Sequence, residues 1–277
     1  MWTTENRGRY DRSQLRYPSD LTDDEWAHVA PLIPPAKRGG NRRHVDVREV
    51  MNGIMYILST GCQWRAIPKD LPPRSTLFDY LDLWSWDGTL DRIHHALHVK
   101  CREQSEREAS PTAAIIDSQS VKSAEKGGPG SIRTAMMRAR RSRARSAISS
   151  STRSACWSAA VHPADIQDRD GAAFVLDERT RALFPFILRI FADAGYQGPR
   201  AALAAARTGS WIIEVVKRTE LHTFTVLPKR WIVERTIAWL NRCRRLAKDW
   251  ENLNRKGLAF LHLASIRLML RKLCNPV

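Results

Sequence analysis

The chain has 277 residues, 43% hydrophobic and 27% charged, a globular composition with room for one large domain or two ordinary ones. Its 45 Lys and Arg against 29 Asp and Glu give a net charge of +16 and a pI near 10.3, which favours a polyanionic partner, most simply nucleic acid. No apolar run approaches the ~20 residues that span a bilayer, and the polar start MWTTENRGRYDRSQ lacks the apolar centre of a signal peptide, so a cytoplasmic, nucleoid-associated protein with no membrane partner is expected.

Residues 1–16 read as a flexible tail, and 17–108 as a helical unit. LTDDEWAHVAPLIP offers Thr22 as a cap, acids in its first turn and Pro34-Pro35 as a stop. DVREVMNGIMYILSTG repeats Val47, Val50, Ile54, Ile57 and Leu58 at helical spacing and ends at Gly61. PPRSTLFDYLDLWSWDG and GTLDRIHHALHVKCRE predict two further helices. Short helices joined in this way suit a helix-turn-helix-like DNA reader, with Arg74 at a helix start as a DNA contact; generic helical bundles share the pattern.

After EQSEREASP the pattern becomes mixed α/β. TAAIIDSQSV predicts a buried strand ending at Asp117, and FPFILRIFADAGYQG a second ending at Asp193; WIIEVVKR and TFTVLP alternate as strands. ERTIAWLNRCRRLAKDWE predicts one helix with Ile237, Leu240 and Leu246 toward a core, and its basic residues on the other face. GLAFLHLASIRLMLRKL predicts a last amphipathic helix. The five cysteines are scattered, without metal-type spacing, and read as reduced thiols.

Three carboxylates stand out: Asp117 and Asp193 at strand ends, and Glu234 at a helix start after PKRW. An acid beside apolar strand residues is costly to desolvate. Carboxylates converging there form a hard, oxygen-rich site for Mg²⁺ or Mn²⁺. Two such ions about 4 Å apart serve phosphodiester cleavage. Each acid alone is equally consistent with a residue facing water.

The motifs IIDSQSVKSAEKGG, AVHPADIQDRDG, FADAGYQGP and VLPKRWIVERTIAWLNRCRRLAKDWE, in this order, closely resemble the DDE transposases of bacterial insertion sequences, in the insertion-sequence-five branch. YPSDLTDDEWAHVAPLIPP and GCQWRAIPKDLPPRSTLFDYLDLWSWDGTLDRI resemble that family's helical N-terminal domain. The resemblance covers roughly residues 17–129 and 160–275. It implies an RNase H-like mixed-sheet catalytic core over 112–275, preceded by the helical domain. It also implies Asp117, Asp193 and Glu234 as the catalytic and metal-holding acids, with two Mg²⁺ or Mn²⁺ ions. The implied reaction is metal-dependent cleavage and strand transfer at an element's terminal inverted repeats. Its partners are double-stranded DNA (element ends and target) and further copies of the chain. The superfamily's signature around the glutamate has Tyr, Arg, Glu and Lys at set intervals. Here Arg230 and Glu234 keep their places, while Leu227 and Asn241 stand at the Tyr and Lys positions. The resemblance therefore assigns Arg230, with Lys229 beside it, as DNA contacts, and Arg242 as a neighbour of the missing Lys. Arg235, Arg244, Arg245 and Lys248 extend the basic surface on this reading.

The resemblance breaks at about 130–159. Residues 136–155, MMRARRSRARSAISSSTRSA, hold six arginines and no acid, where family members carry a segment like DPHGYDAGKKIKGKKRHILVDT. Low in large apolar residues, it reads as a linker, aberrant and disordered. Two compensating frameshifts account for it: the codons of Met136-Met137 force a shifted reading compatible with the family's YD, and ARRSRARS has a codon set compatible with KKIKGKK. Replacing two central strands in this way removes contacts worth about 2–5 kcal/mol for each large apolar residue, against a total stability of ~5–15 kcal/mol. The expected consequence is a poor or dead enzyme, and the alternative to a working transposase is a catalytically dead copy that acts at most as a DNA-binding protein.

Overall fold

The computed structural model describes residues 4–36, 39, 43–122, 142–150, 156–163, 167–192, 194–207, 211–215, 235–236, 238–251 and 253–275. The N-terminal helices are α1 (Thr4–Arg9), α2 (Asp23–Val29), α3 (Val47–Thr60), α4 (Arg74–Trp86) and α5 (Thr89–Glu103). Their ends are built from the residues that signal them in the sequence. Thr22 accepts the Glu25 N–H and Glu25 accepts the Thr22 N–H, a reciprocal capping box for α2. Asp46 caps α3 by accepting the Arg48 N–H, and Gly61 ends it in the left-handed region at φ +68°. Val50, Ile54, Ile57 and Leu58 of α3 pack against Leu77, Leu81 and Trp84 of α4 and Leu90, Ile93 and Leu97 of α5 in one buried core.

The tail expected to be free is tethered from Arg12 onward. Arg12 donates to both carboxylate oxygens of buried Glu25, at 2.9 and 2.8 Å. Arg16 bridges Asp20 at 3.3 Å and Glu49 at 2.7 Å, and the Tyr17 hydroxyl donates to Asp70 at 2.8 Å. Charges within reach of fixed acids on α2 and α3 outweigh the polar composition that predicts a loose tail.

Among the described residues, five strands form one sheet: β1 (Ala113–Lys122), β2 (Ser142–Ser150), β3 (Cys156–Pro163), β4 (Arg189–Ala192) and β5 (Ile212–Val215). Their order is β3-β2-β1-β4-β5. β2 runs antiparallel to both β1 and β3, whereas β4 is parallel to β1 and to β5. The helices α6 (Asp168–Gly171), α7 (Glu178–Leu183) and α8 (Pro199–Arg207) connect these strands. With Ala114 and Ile116 of β1 and Ile190 and Ala192 of β4, this region buries Val175, Leu176, Phe184, Tyr196 and Trp211 in a second core.

Two expectations change here. The segment read as a disordered linker contains β2, which pairs with β1 on one side and β3 on the other, and the start of β3. Strand pairing is carried by backbone N–H and C=O groups, so it does not require the large apolar residues whose scarcity suggested a linker. Residues 130–141 and 151–155, and the strand expected from TFTVLP, lie outside the described residues.

The second change concerns the boundary at 112. α9 (Asn254–Cys274) lies in the core of the N-terminal helices, contributing Phe260, Leu263, Ile266, Met269 and Leu270 alongside Leu240, Cys243 and Leu246. The His94 ring nitrogen Nε2 meets Ser265 Oγ at 3.0 Å, and the Gln104 side chain donates to the Leu273 carbonyl at 3.0 Å. At the other end, Lys256 Nζ lies 3.1 Å from the Phe78 ring centre and 3.2 Å from Asp82. α9 is buried on most of its circumference, and is therefore the hub of the helical unit rather than an amphipathic surface helix.

Candidate active site

β1 and β4 lie side by side at the centre of the sheet and run in the same direction. Ala113 stands opposite Arg189, Ala114 opposite Ile190 and Ile115 opposite Phe191. Ala114, Ile116, Ile190 and Ala192 serve the core on the side of α6 to α8. The alternate residues Ile115 and Phe191 are buried outside that core, as the two-residue strand period requires.

Asp117 does not end its strand. β1 continues to Lys122, and Asp117 pairs with Ala147 of β2. It lies at an end in a narrower sense: the described pairing with β4 stops at Ile115, while the antiparallel pairing with β2 goes on. A residue just past the parallel register still belongs to a two-strand ribbon, which a strand prediction from one apolar run cannot separate from a strand end. β4 closes at Ala192, immediately before Asp193. Asp193 follows Phe191 by two positions, as Asp117 follows Ile115. Asp193, Glu234, Lys229 and Arg230 lie outside the described residues.

Beyond Glu234, residues 235–236 and 238–240 are helical and the chain then turns. The Cys243 N–H donates to the Leu240 carbonyl at 3.0 Å, and Arg244–Leu246 form a single 3₁₀ turn. The long helix expected over ERTIAWLNRCRRLAKDWE thus stops at Leu240, although Leu240 and Leu246 are both buried as expected. Arg242 is exposed in that turn, and Arg74 is exposed at the first position of α4, after Pro73. Trp239 is half-buried, with the Arg235 guanidinium 4.7 Å from its ring centre.

Arg245 departs from its expected place on the basic surface. Its side chain is 7% exposed, and its Nε and Nη2 donate to one oxygen of Glu251 at 2.8 and 2.5 Å. Its Nη1 donates to the Cys62 carbonyl at 3.2 Å, and the guanidinium lies 5.2 Å from the Phe260 ring centre and 5.9 Å from that of Trp64. The acids Asp249 and Glu251 that close CRRLAKDWE are the sequence signal for this buried pair.

A separate cavity of about 380 Å³ opens between α5, α7, α9 and β3, lined by Asp91, His94, Arg179, Arg255 and His262. Asp91 accepts from Arg179 and pairs with His262 Nδ1 at 3.0 Å. Burial opposes its ionisation, but these two partners outweigh burial and hold the carboxyl far below the ordinary range. Among the described residues, no group of three His, Cys, Asp or Glu forms a metal site, and no helix is long and apolar enough to cross a membrane.

Comparison with known proteins gives matches to both halves of the chain. The family model described as "Transposase DDE domain" matches residues 108–269. The model described as "Putative transposase of IS4/5 family" matches residues 21–94. A curated relative, the "Insertion element IS402 uncharacterized 16.2 kDa protein" of Burkholderia cepacia, is 32% identical over 114 residues, covering 39% of this chain and 76% of that protein. No solved structure matches the chain.

Proposed function

The chain belongs to the DDE transposases of insertion sequences, and from that premise we propose that it cleaves and joins DNA phosphodiesters at the terminal inverted repeats of its element. The observation that carries the reading is the parallel register of β1 and β4. Asp117 and Asp193 each follow a pair of directly opposed residues by the same number of positions. The strand order, with only β2 reversed, supports an RNase H-like core.

Glu234 supplies the third carboxylate. An all-carboxylate set is a hard donor set and fits Mg²⁺ or Mn²⁺, which take oxygen ligands, in preference to softer metals. When bound, two such ions polarise the scissile phosphate and neutralise the charge that develops on it. The protein's own part is positioning, because this chemistry requires no covalent protein nucleophile. Asp117 is carried by β1, the central strand of the sheet. Arg230 and Lys229, and Arg242 next to the signature's Lys position, neutralise backbone phosphates and set the DNA's register. Arg74, at the exposed start of α4, meets the DNA from the helical unit.

The test is cleavage of a labelled duplex bearing the element's end, with Mg²⁺, by the full chain and by Asp117→Ala, Asp193→Ala and Glu234→Ala. Each variant is expected to lose cleavage while binding the same duplex as the parent does. Parental cleavage by any of the three variants, or a loss of cleavage in all three that a loss of binding accounts for, overturns the assignment. Binding without cleavage by the unaltered chain supports the reading in which this copy is only a DNA-binding protein.

A further inference from the structure

Where α9 passes α2, the helical unit carries more positive charge than its own acids balance. Arg267 and Arg271 stand four residues apart, on one side of α9. Arg271 is half-buried, and among the described residues its guanidinium has no hydrogen bond and no ion pair. Arg267, also half-buried, donates to the Cys243 sulfur at 3.4 Å and has no carboxylate partner. Arg12 reaches the same place from the N-terminal segment. Its two Nη groups are bound to Glu25, and its Nε is buried without a hydrogen-bond partner. The charges of Arg267, Arg12 and Glu25 all bear on Arg271. Glu25 is already satisfied, since its carboxylate accepts from Arg12 and from the Thr22 N–H. Asp24, next to it in α2, is exposed and acts on Cys274, three residues beyond Arg271. Burial, helped by Arg267 and Arg12, pushes the Arg271 guanidinium down to about 10, so it stays charged at neutral pH. A part-buried charge without a counter-ion is costly, and an arginine cannot escape that cost by losing its proton.

We propose that Arg12, Arg267 and Arg271 form a phosphate-binding site on the helical unit, with Arg271 as its central donor. The ligand is a phosphate group, because its tetrahedral oxygens accept from several guanidinium forks at once and its negative charge supplies the missing counter-ion. Two sources share this chemistry, a backbone phosphate of DNA and free inorganic phosphate. The site is built without the catalytic acids and its test requires no cleavage, so it stands or falls separately from the function proposed above.

The test uses the full chain with Arg271→Gln, Arg267→Gln and, as a control, Arg207→Gln, which removes an exposed charge from α8. Melting temperatures are read without phosphate and with increasing inorganic phosphate, chloride being exchanged to hold the ionic strength. The parent and Arg207→Gln are expected to gain several degrees along a saturating curve. Arg271→Gln and Arg267→Gln are expected to bind phosphate about tenfold more weakly. Without phosphate, Arg271→Gln is expected to melt at or above the parental temperature, since it removes an unbalanced charge. Binding of a duplex of arbitrary sequence across a range of salt separates the two sources. A backbone phosphate in the site predicts that Arg271→Gln lowers the slope of log K against log salt by about 0.9, with Arg207→Gln unchanged. Free phosphate as the ligand leaves that slope at its parental value. Equal phosphate responses in the parent and Arg271→Gln, together with an unchanged slope or one lowered as much by Arg207→Gln, overturn the proposal. So does a fall in the melting temperature of Arg271→Gln without phosphate while its phosphate response is kept, which makes Arg271 purely structural. Arg267→Gln carries the same comparisons should Arg271→Gln fail to fold.

Discussion

Two glycines with the same backbone conformation provide a matched pair of perturbations. Gly61 and Gly88 both lie in the left-handed region, at φ +68° and +77°. An alanine at either position costs roughly 1–2 kcal/mol for that conformation. They differ in what a Cβ would meet. At Gly88 the nearest atom is the mobile Arg92 Nη1, at 3.7 Å, whereas at Gly61 the backbone of Arg244 lies at 3.1–3.2 Å. Gly61→Ala therefore adds an overpacking cost of about 1–3 kcal/mol, for a total near 2–5 kcal/mol against a typical stability of ~5–15 kcal/mol. Urea denaturation followed by circular dichroism measures both variants against the parent. Gly61→Ala is expected to be the more destabilised, and to loosen the 244–251 loop where Gly88→Ala does not. Equal losses for the two, within about 0.5 kcal/mol, would refute the close packing of the α3 turn against Arg244.

Other outcomes follow from the same contacts. Leu240→Ala, in the core shared by the two ends of the chain, is expected to cost about 2–5 kcal/mol in the same denaturation experiment. Burial, reinforced by the charges of Arg102, His95 and Lys272, pushes the His98 imidazole down to about 3. The unfolded chain takes up that proton below about pH 6.5. Stability then falls by about 1.4 kcal/mol for each unit of pH lost until the folded value is reached. His98→Phe should remove about one proton from the slope of stability against pH between about 6.5 and 4. Asp91 has the opposite sign: its depressed carboxyl contributes stability above the ordinary value near 3.9, and that contribution declines as the pH falls below it. The cost of Asp91→Asn, read by thermal melts, is thus expected at neutral pH and to shrink in acid. Replacing 130–159 by a family-type segment carrying KKIKGKKRHILVD is expected to raise the melting temperature, since it returns large apolar residues to the place of β2 and β3.

The elements legible in the sequence are those whose signals are local. Thr22 and Gly61 mark helix ends by a hydrogen bond and a φ angle made within a few residues, and the structure uses both in that way. β4 is legible because an apolar run and its terminal acid coincide. β2 is not: SRARSAISS carries no apolar face to read, and its place follows from backbone pairing with β1 and β3. The membership of α9 in the N-terminal core is long-range packing, which periodicity cannot reveal. The buried state of Arg245 was hidden by its neighbours, since Arg242 and Arg244 are exposed on either side. Its partner Glu251 comes six residues later, across a turn that breaks helical spacing. Of the acids proposed for catalysis, Asp117 is located in β1, while Asp193 and Glu234 lie outside the described residues.

The most direct test of the whole account is a Mg²⁺-dependent cleavage assay on duplex DNA carrying the element's terminal repeat, comparing the parent with Asp117→Ala at equal DNA binding. The account predicts a nick at the element end by the parent and none by the variant, with unchanged affinity for the duplex. Equal cleavage by both, or cleavage that persists when Mg²⁺ and Mn²⁺ are chelated, would contradict it.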